Sequence, residues 1–205
     1  MINNQKIIST YNSIATDYDK IYSAPSEHID ELLGYIDQES AILDLGCGAG
    51  NNAVYLSNLG YNVTGIDTSD NMLAIAQSKK SNAKFIQGDV HRLNFNDNSF
   101  NSIILSYILC HLTNNDISDC LGRLTHILMH NGVLFIELFT GVLGEITIPE
   151  PLNNALTTDF NIIRMDDLDT MLGANKFKIV KTYSNPETEF GLSGVQDTCI
   201  IAKLV

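Results

Sequence analysis

Short apolar runs alternate along this chain with amphipathic stretches, and the alternation predicts its elements. Ala41-Ile42-Leu43-Asp44-Leu45 is an apolar run with one acid near its end, about the length of a buried strand. Asn51 to Asn58 is helix-compatible and closed by Gly60. Tyr61 to Asp67 reads as a second strand, Ser69 to Lys79 as a helix with Met72 facing back toward the loop after the first strand, and Lys84 to Gln87 as a short third strand. Phe100 to Tyr107 is a fourth, nearly all apolar, as strands covered on both faces are. From Thr113 to His130, Ile117, Leu121, Leu124 and Leu128 line one face, Asp116 sits in the first turn and Asn131-Gly132 is a stop, which predicts a helix. Val133 to Leu138 is the fifth strand. Strands alternating with helices imply an α/β fold, a parallel sheet with helices on both faces.

The two ends break the alternation. Ser26 can cap a helix in which Ile29, Leu32, Leu33 and Ile36 form one apolar stripe. Before it, Ala15 to Tyr22 brings aromatics and acids close together, including Tyr18 and Asp19. Two readings stay open for residues 1–40: a surface helix whose tyrosines help cover the domain, or a helical lid over a ligand. The segment 139–172, with Pro149 and Pro151, is expected to be an irregular loop with a short helix at its end, a short insertion near an acceptor site. Lys178 to Tyr183 and Thr198 to Leu204 are strand-like, with a turn-rich stretch and no helix between them, so they should pair antiparallel. One domain over 1–205 accommodates all of this.

Composition narrows the classes. At 205 residues and 44% hydrophobic content the chain suits one domain with an ample core, and no apolar run approaches a membrane span. No continuous apolar stretch follows Met1-Ile2-Asn3-Asn4-Gln5-Lys6, so no secretory leader is expected. Cys47, Cys110, Cys120 and Cys199 lack C-x-x-C spacing, which favours reduced structural thiols in a cytoplasm over disulfides or a metal. A net charge of −12 argues against a phosphate-binding surface, hence against nucleic acid as partner.

The chemistry concentrates after the first strand. Gly46, Gly48 and Gly50 stand at alternate positions just before a helix, so main chain and helix N-terminus can cradle a ligand. The spacing is G-x-G-x-G, not the G-x-G-x-x-G of dinucleotide folds. Asp67 lies 21 residues past Gly46 at the tip of the second strand, placed to accept from both hydroxyls of a ribose. With Thr68-Ser69-Asp70 following, a helix-capping role is the other reading.

Asp44-Leu45-Gly46-Cys47-Gly48-Ala49-Gly50, Asp67, Gly88-Asp89-Val90 and Asn131-Gly132-Val133 resemble, in order and spacing, the successive motifs of class I S-adenosylmethionine-dependent methyltransferases. The resemblance runs from about Tyr18 to the C-terminus. The terminal strand pair fits that family's Rossmann-like seven-stranded, mostly parallel sheet. The Tyr18-Asp19 dipeptide and Cys110-His111-Leu112 are similar to the small-molecule branch that includes ubiquinone-biosynthesis methyltransferases, from which the short 139–172 segment departs. The resemblance implies S-adenosylmethionine as cofactor, a small-molecule acceptor and a cytoplasmic monomer or homodimer. It places the methionine tail on Gly46 to Gly50, with Asp44, Cys47 and Thr68 around the loop and Ser106 nearby. It gives the ribose to Asp67, the adenine amino group to Asp89, and the ring to Val90 and Met72, although Met72 serves equally as plain core. No metal is needed, because orientation and a dry site do most of the work.

His111, four residues past the fourth strand, is either a helix-start histidine bonded to a carbonyl or the base that takes the acceptor's proton, with Tyr18 closing over the sulfonium. Ser106-Tyr107-Ile108-Leu109 lacks the Asn/Asp-Pro-Pro-aromatic turn that binds planar amino groups, which disfavours adenine or amide acceptors. The acceptor and the atom methylated stay open. Two alternatives remain: a non-catalytic module that binds the cofactor or a nucleoside, and a nicotinamide-dependent oxidoreductase, which would carry its third glycine one residue later.

Overall fold

The computed structural model of the chain describes residues 2–187 and 190–205. Met1, from the stretch read for a leader, and Thr188 and Glu189, in the turn-rich stretch, lie outside the described residues. Helices α1 (Asn4–Ile21) and α2 (Ile29–Leu33) come first. Then β1 (Ala41–Leu45), α3 (Asn51–Asn58), β2 (Asn62–Asp67), α4 (Asp70–Ser78), β3 (Lys84–Gln87), β4 (Phe100–Ser106), α5 (Asn114–Ile127) and β5 (Leu128–Thr140) alternate. They are followed by β6 (Gly144–Glu150), β7 (Asn153–Ile162), α6 (Met165–Ala174), β8 (Phe177–Pro186) and β9 (Gln196–Leu204).

Among the described residues, seven strands form one sheet in the order β3-β2-β1-β4-β5-β9-β8. The first five are mutually parallel, while β9 runs antiparallel to both β5 and β8. Alternate residues of each central strand serve opposite faces. Leu43, Ile103, Leu105, Leu134 and Ile136 pack toward α5 and α6 with Ile117, Leu121, Leu124 and Leu168. Ile42, Ile104, Val133 and Phe135 pack on the other face with Ile29, Leu32, Ala53 and Leu56. Truncating any of these leucines or isoleucines to alanine would cost about 2–5 kcal/mol. Strand order reverses between β1 and β4, and a crevice opens there at the carboxyl ends.

The expected order of elements stands, with four corrections. Ser26 does not cap α2: its hydroxyl donates to the buried Glu137 carboxylate, a stronger acceptor, and the N-cap is His28 without a side-chain bond. That helix stops at Gly34, so Ile36 falls outside the stripe. The helix expected to reach His130 ends at Ile127, because Leu128 turns extended and pairs with Phe100; Asn131 then takes a φ of 60°. A Cβ on Gly132 would sit 2.8 Å from the Met129 carbonyl, so only glycine fits that turn.

The fourth correction is the largest. The helix expected at the end of the 139–172 segment is α6, but the stretch before it is no irregular loop: β5 continues to Thr140, and β6 and β7 form a two-stranded antiparallel sheet. Ile146 and Ile148 alternate with Glu145 and Thr147, and Pro149 sits at the register shift, where a missing N–H is tolerated. Phe139, Phe160, Val195 and Cys110 form the small core beneath this sheet.

Candidate functional site

The glycine turn after β1 is fixed by its own main chain. Gly46 and Gly48 have φ of 75° and 50°. A Cβ on Gly46 would also come within 3.0 Å of the Ile108 side chain. The Gly46 and Cys47 N–H groups donate to the Ile66 carbonyl at 2.8 and 2.9 Å. The Gly48 N–H donates to Asp67 at 2.8 Å, and the other Asp67 oxygen accepts the Ser69 N–H, also at 2.8 Å. Asp67 thus joins the turn to the start of α4, and burial holds its carboxyl above the usual range. Gly50 serves differently: a Cβ there would meet Ala76 at 2.8 Å, and it seats the start of α3 without reaching either cavity described below.

Two cavities meet over this turn, sharing Tyr18, Gly46, Gly48, Ser106 and Tyr107. The narrower, of about 130 Å³, brings together Asp67, Thr68, Met72, Asp89 and Val90 on one side with His111 on the other. Its roof is α1, through Ile7, Tyr11 and Tyr18. The wider, of about 430 Å³, reaches Asp44 and Cys47 at the turn and Glu137 and Asp197 at the ends of β5 and β9. Of the residues expected at the site, only Gly50 lies outside both. Met72 is core and wall at once, 1% exposed yet lining the narrow cavity.

Helix α1 is tied down at several points. Lys6 pairs with Asp159 of β7 at 2.5 Å, Asn12 accepts from the Ser69 hydroxyl at 2.9 Å and the Asn71 N–H at 3.0 Å, and Lys79 pairs with Asp19 at 2.6 Å. Tyr11 meets His111, its hydroxyl 2.8 Å from Nε2. The Asp159 carbonyl, 3.0 Å from Nδ1, can only accept, so Nδ1 carries the proton and Nε2 accepts from Tyr11. Burial pushes the imidazole down to about 4, so it is neutral and a weaker base than the unperturbed value suggested.

The wider cavity has an acidic wall of which the sequence pointed only to Asp44. Glu137 accepts from the Ser26 hydroxyl and, at 2.6 Å, from the Ser106 hydroxyl, and burial raises its carboxyl. Tyr107, with a φ of 54°, donates its hydroxyl to Asp197 at 2.7 Å. Asp44 is 2% exposed, one of its oxygens has no hydrogen-bond partner, and burial raises its carboxyl to about 7. Glu137 was detectable as a lone acid inside the apolar run Phe135 to Leu138, the same signal that marked Asp44. Tyr11, in a polar helix, carried none.

Residues 43–136 match the family model described as a methyltransferase domain. An uncharacterized methyltransferase of Schizosaccharomyces pombe is 35% identical over 103 residues, which cover 48% of this chain and 71% of that protein. The chain belongs to the class I S-adenosylmethionine-dependent methyltransferase family. A putative methyltransferase of Bacillus subtilis is 30% identical over 138 residues, 62% of this chain and 55% of that one, so the chain spans about half the length of such curated relatives. The crystal structure of a SAM-dependent methyltransferase from Methanosarcina mazei superposes with a TM-score of 0.77 at 20% identity, covering 89% of this chain and 99% of that one. At that identity the likeness speaks for the fold. Two features of the chain fit the family's cofactor: a turn that admits no side chain at Gly46, and a buried Asp44 oxygen without a partner.

Proposed function

We propose that the protein transfers the methyl group of S-adenosylmethionine to a small-molecule acceptor. The observation that carries this is the convergence of the glycine turn, Asp67 and Asp89 on one crevice at the carboxyl ends of the strands. In this reading Asp67 holds the ribose diol. Asp89, whose carboxylate accepts the His91 N–H at 2.8 Å, keeps lone pairs for the adenine amino group. Val90 and Met72 flank the ring, Thr68 borders it, and Gly46 to Gly48 with Cys47, Ser106 and Asp44 surround the methionine tail. When bound, the cofactor supplies a methyl group on a sulfonium. The chain's task is to aim it, keep water out and dispose of a proton. Tyr18, at the junction of the cavities, covers the reacting centre, and neutral His111 accepts a proton at Nε2 in concert with Tyr11.

Calorimetry with S-adenosylmethionine and with NADH tests the cofactor. Asp67→Ala should weaken the former at least about tenfold, since a bond to an ionised group is worth about 1.5–3 kcal/mol. It should also lower stability, because Gly48 and Ser69 lose their acceptor. Tight NADH binding, or unchanged affinity in the variant, would overturn the reading. His111→Ala should lower turnover by roughly 10²–10⁴ if the imidazole takes the proton. Near-normal turnover removes His111 from the chemistry.

A further inference from the structure

We propose that the wider cavity takes a methyl acceptor that carries an amine, held as its ammonium by Glu137 and Asp197. This rests on the methyltransferase reading and adds the acceptor's chemistry. The cavity has three acidic walls, Asp44 beside the glycine turn and Glu137 and Asp197 across from it, with exposed Glu27 at its rim. Among the described residues, no lysine or arginine lines either cavity. Lys79 bonds to Asn51, which lines the wider cavity, and is paired with Asp19.

Charge balance then decides the acceptor class. S-adenosylmethionine brings a sulfonium, an ammonium and a carboxylate, a net charge of +1, which Asp44 balances once the cofactor's ammonium drives off the proton that its raised carboxyl holds in the free protein. Asp44, with its buried unpartnered oxygen, is the acid next to the turn and answers the cofactor's own ammonium. Glu137 and Asp197 remain, on the β5–β9 side where the cavity widens. A carboxylate or phosphate acceptor would face them with no lysine or arginine and, among the described lining residues, only the His28 imidazole to offset them, and like charges placed together cost several kcal/mol. An ammonium satisfies both. The hydroxyls of Ser26, Ser106 and Tyr107 already donate to these two carboxylates and hold them toward the cavity.

The geometry also supplies a proton acceptor. An ammonium has no lone pair, so one N–H bond must break before nitrogen can attack. Glu137, beside the ammonium, forms the matching O–H bond and so takes the place of His111 as base for such an acceptor; burial, which raises its carboxyl, favours the proton there. The freed pair forms the N–C bond as the S–C bond breaks, leaving a methylated ammonium and a thioether. The amine's aromatic surroundings are Tyr18, Tyr22 and Tyr107.

Matched probes test this without turnover. The protein saturated with S-adenosylhomocysteine is titrated calorimetrically with 2-phenylethylamine, 2-phenylethanol and 3-phenylpropanoate. The amine should bind saturably, at least about tenfold tighter than the alcohol or the acid, as one charged hydrogen bond implies. Glu137→Gln and Asp197→Asn should each erase that preference while S-adenosylhomocysteine still binds. Equal or tighter binding of the acid or alcohol, or no saturable amine binding into the millimolar range, overturns the amine inference and leaves the methyltransferase reading standing. Failure to bind S-adenosylhomocysteine at all would remove both.

Discussion

Two buried residues set opposing pH dependences. Below pH 6.5 the unfolded chain protonates His111, while the folded chain keeps it neutral down to about pH 4. Stability from the neutral ring is therefore present above pH 6.5 and lost as pH falls toward 4. Asp44 works the other way. Its folded carboxyl, raised to about 7 from 3.8, keeps a proton the unfolded chain releases, so stability is present below 3.8 and lost as pH rises toward 7. His111 is linked to roughly 3 kcal/mol and Asp44 to roughly 4 kcal/mol, and between about pH 4 and 6.5 their opposite slopes offset each other. Asp44→Asn should lose stability on acidification across that window, and His111→Gln should gain it, by urea unfolding at a series of pH values. Parallel profiles for wild type and both variants would contradict the assignment. The sequence showed both residues; their surroundings, and hence their protonation, came from packing.

At the scale of elements, α1 is a strap between the cofactor side and the β6–β7 sheet. Its first half is held by Lys6 to Asp159, where the aspartate is 4% and the lysine 33% exposed. Desolvation pushes Asp159 up, yet Lys6 and Thr147 together hold its carboxyl below the usual range. Lys6→Met should lower stability by about 1 kcal/mol, as for a partly exposed pair. It should also speed deuterium exchange in the first half of α1, over residues 4–11, more than in α5. Unchanged exchange there would mean that Asn12 and Lys79 alone anchor the helix. The amphipathic pattern announced a helix, but not that it runs unbroken from Asn4 to Ile21 or that it lands on β7.

For the whole molecule, the charge of −12 governs encounters. With the Debye length about 8 Å at about 0.15 M salt, surface repulsion of phosphates persists at contact. Anisotropy with tRNA and duplex DNA at that ionic strength should show no binding below micromolar protein. Tight, salt-dependent binding would show that a local basic patch dominates the net charge. Among the described residues, no helix is long and apolar enough to cross a membrane.

The sequence by itself determined the five-strand parallel framework, the glycine turn and the acids at the strand tips. These are local facts: apolar runs of strand length, glycines at a tight turn, and an acid at or just past the ends of β1, β2 and β3. It also determined the antiparallel end of the sheet, through the missing crossover helix. Only the tertiary structure decided that 144–162 is a second small sheet, since Ile146 and Ile148 find their partners in Phe139 and Phe160, brought near by the fold. The partner of His111 and the acidic wall of the wider cavity were likewise decided there. Tyr11 stands 100 residues before His111, and Ser26 stands 111 before Glu137. Contacts over such separations leave no periodicity in the chain, because they arise from how whole elements pack.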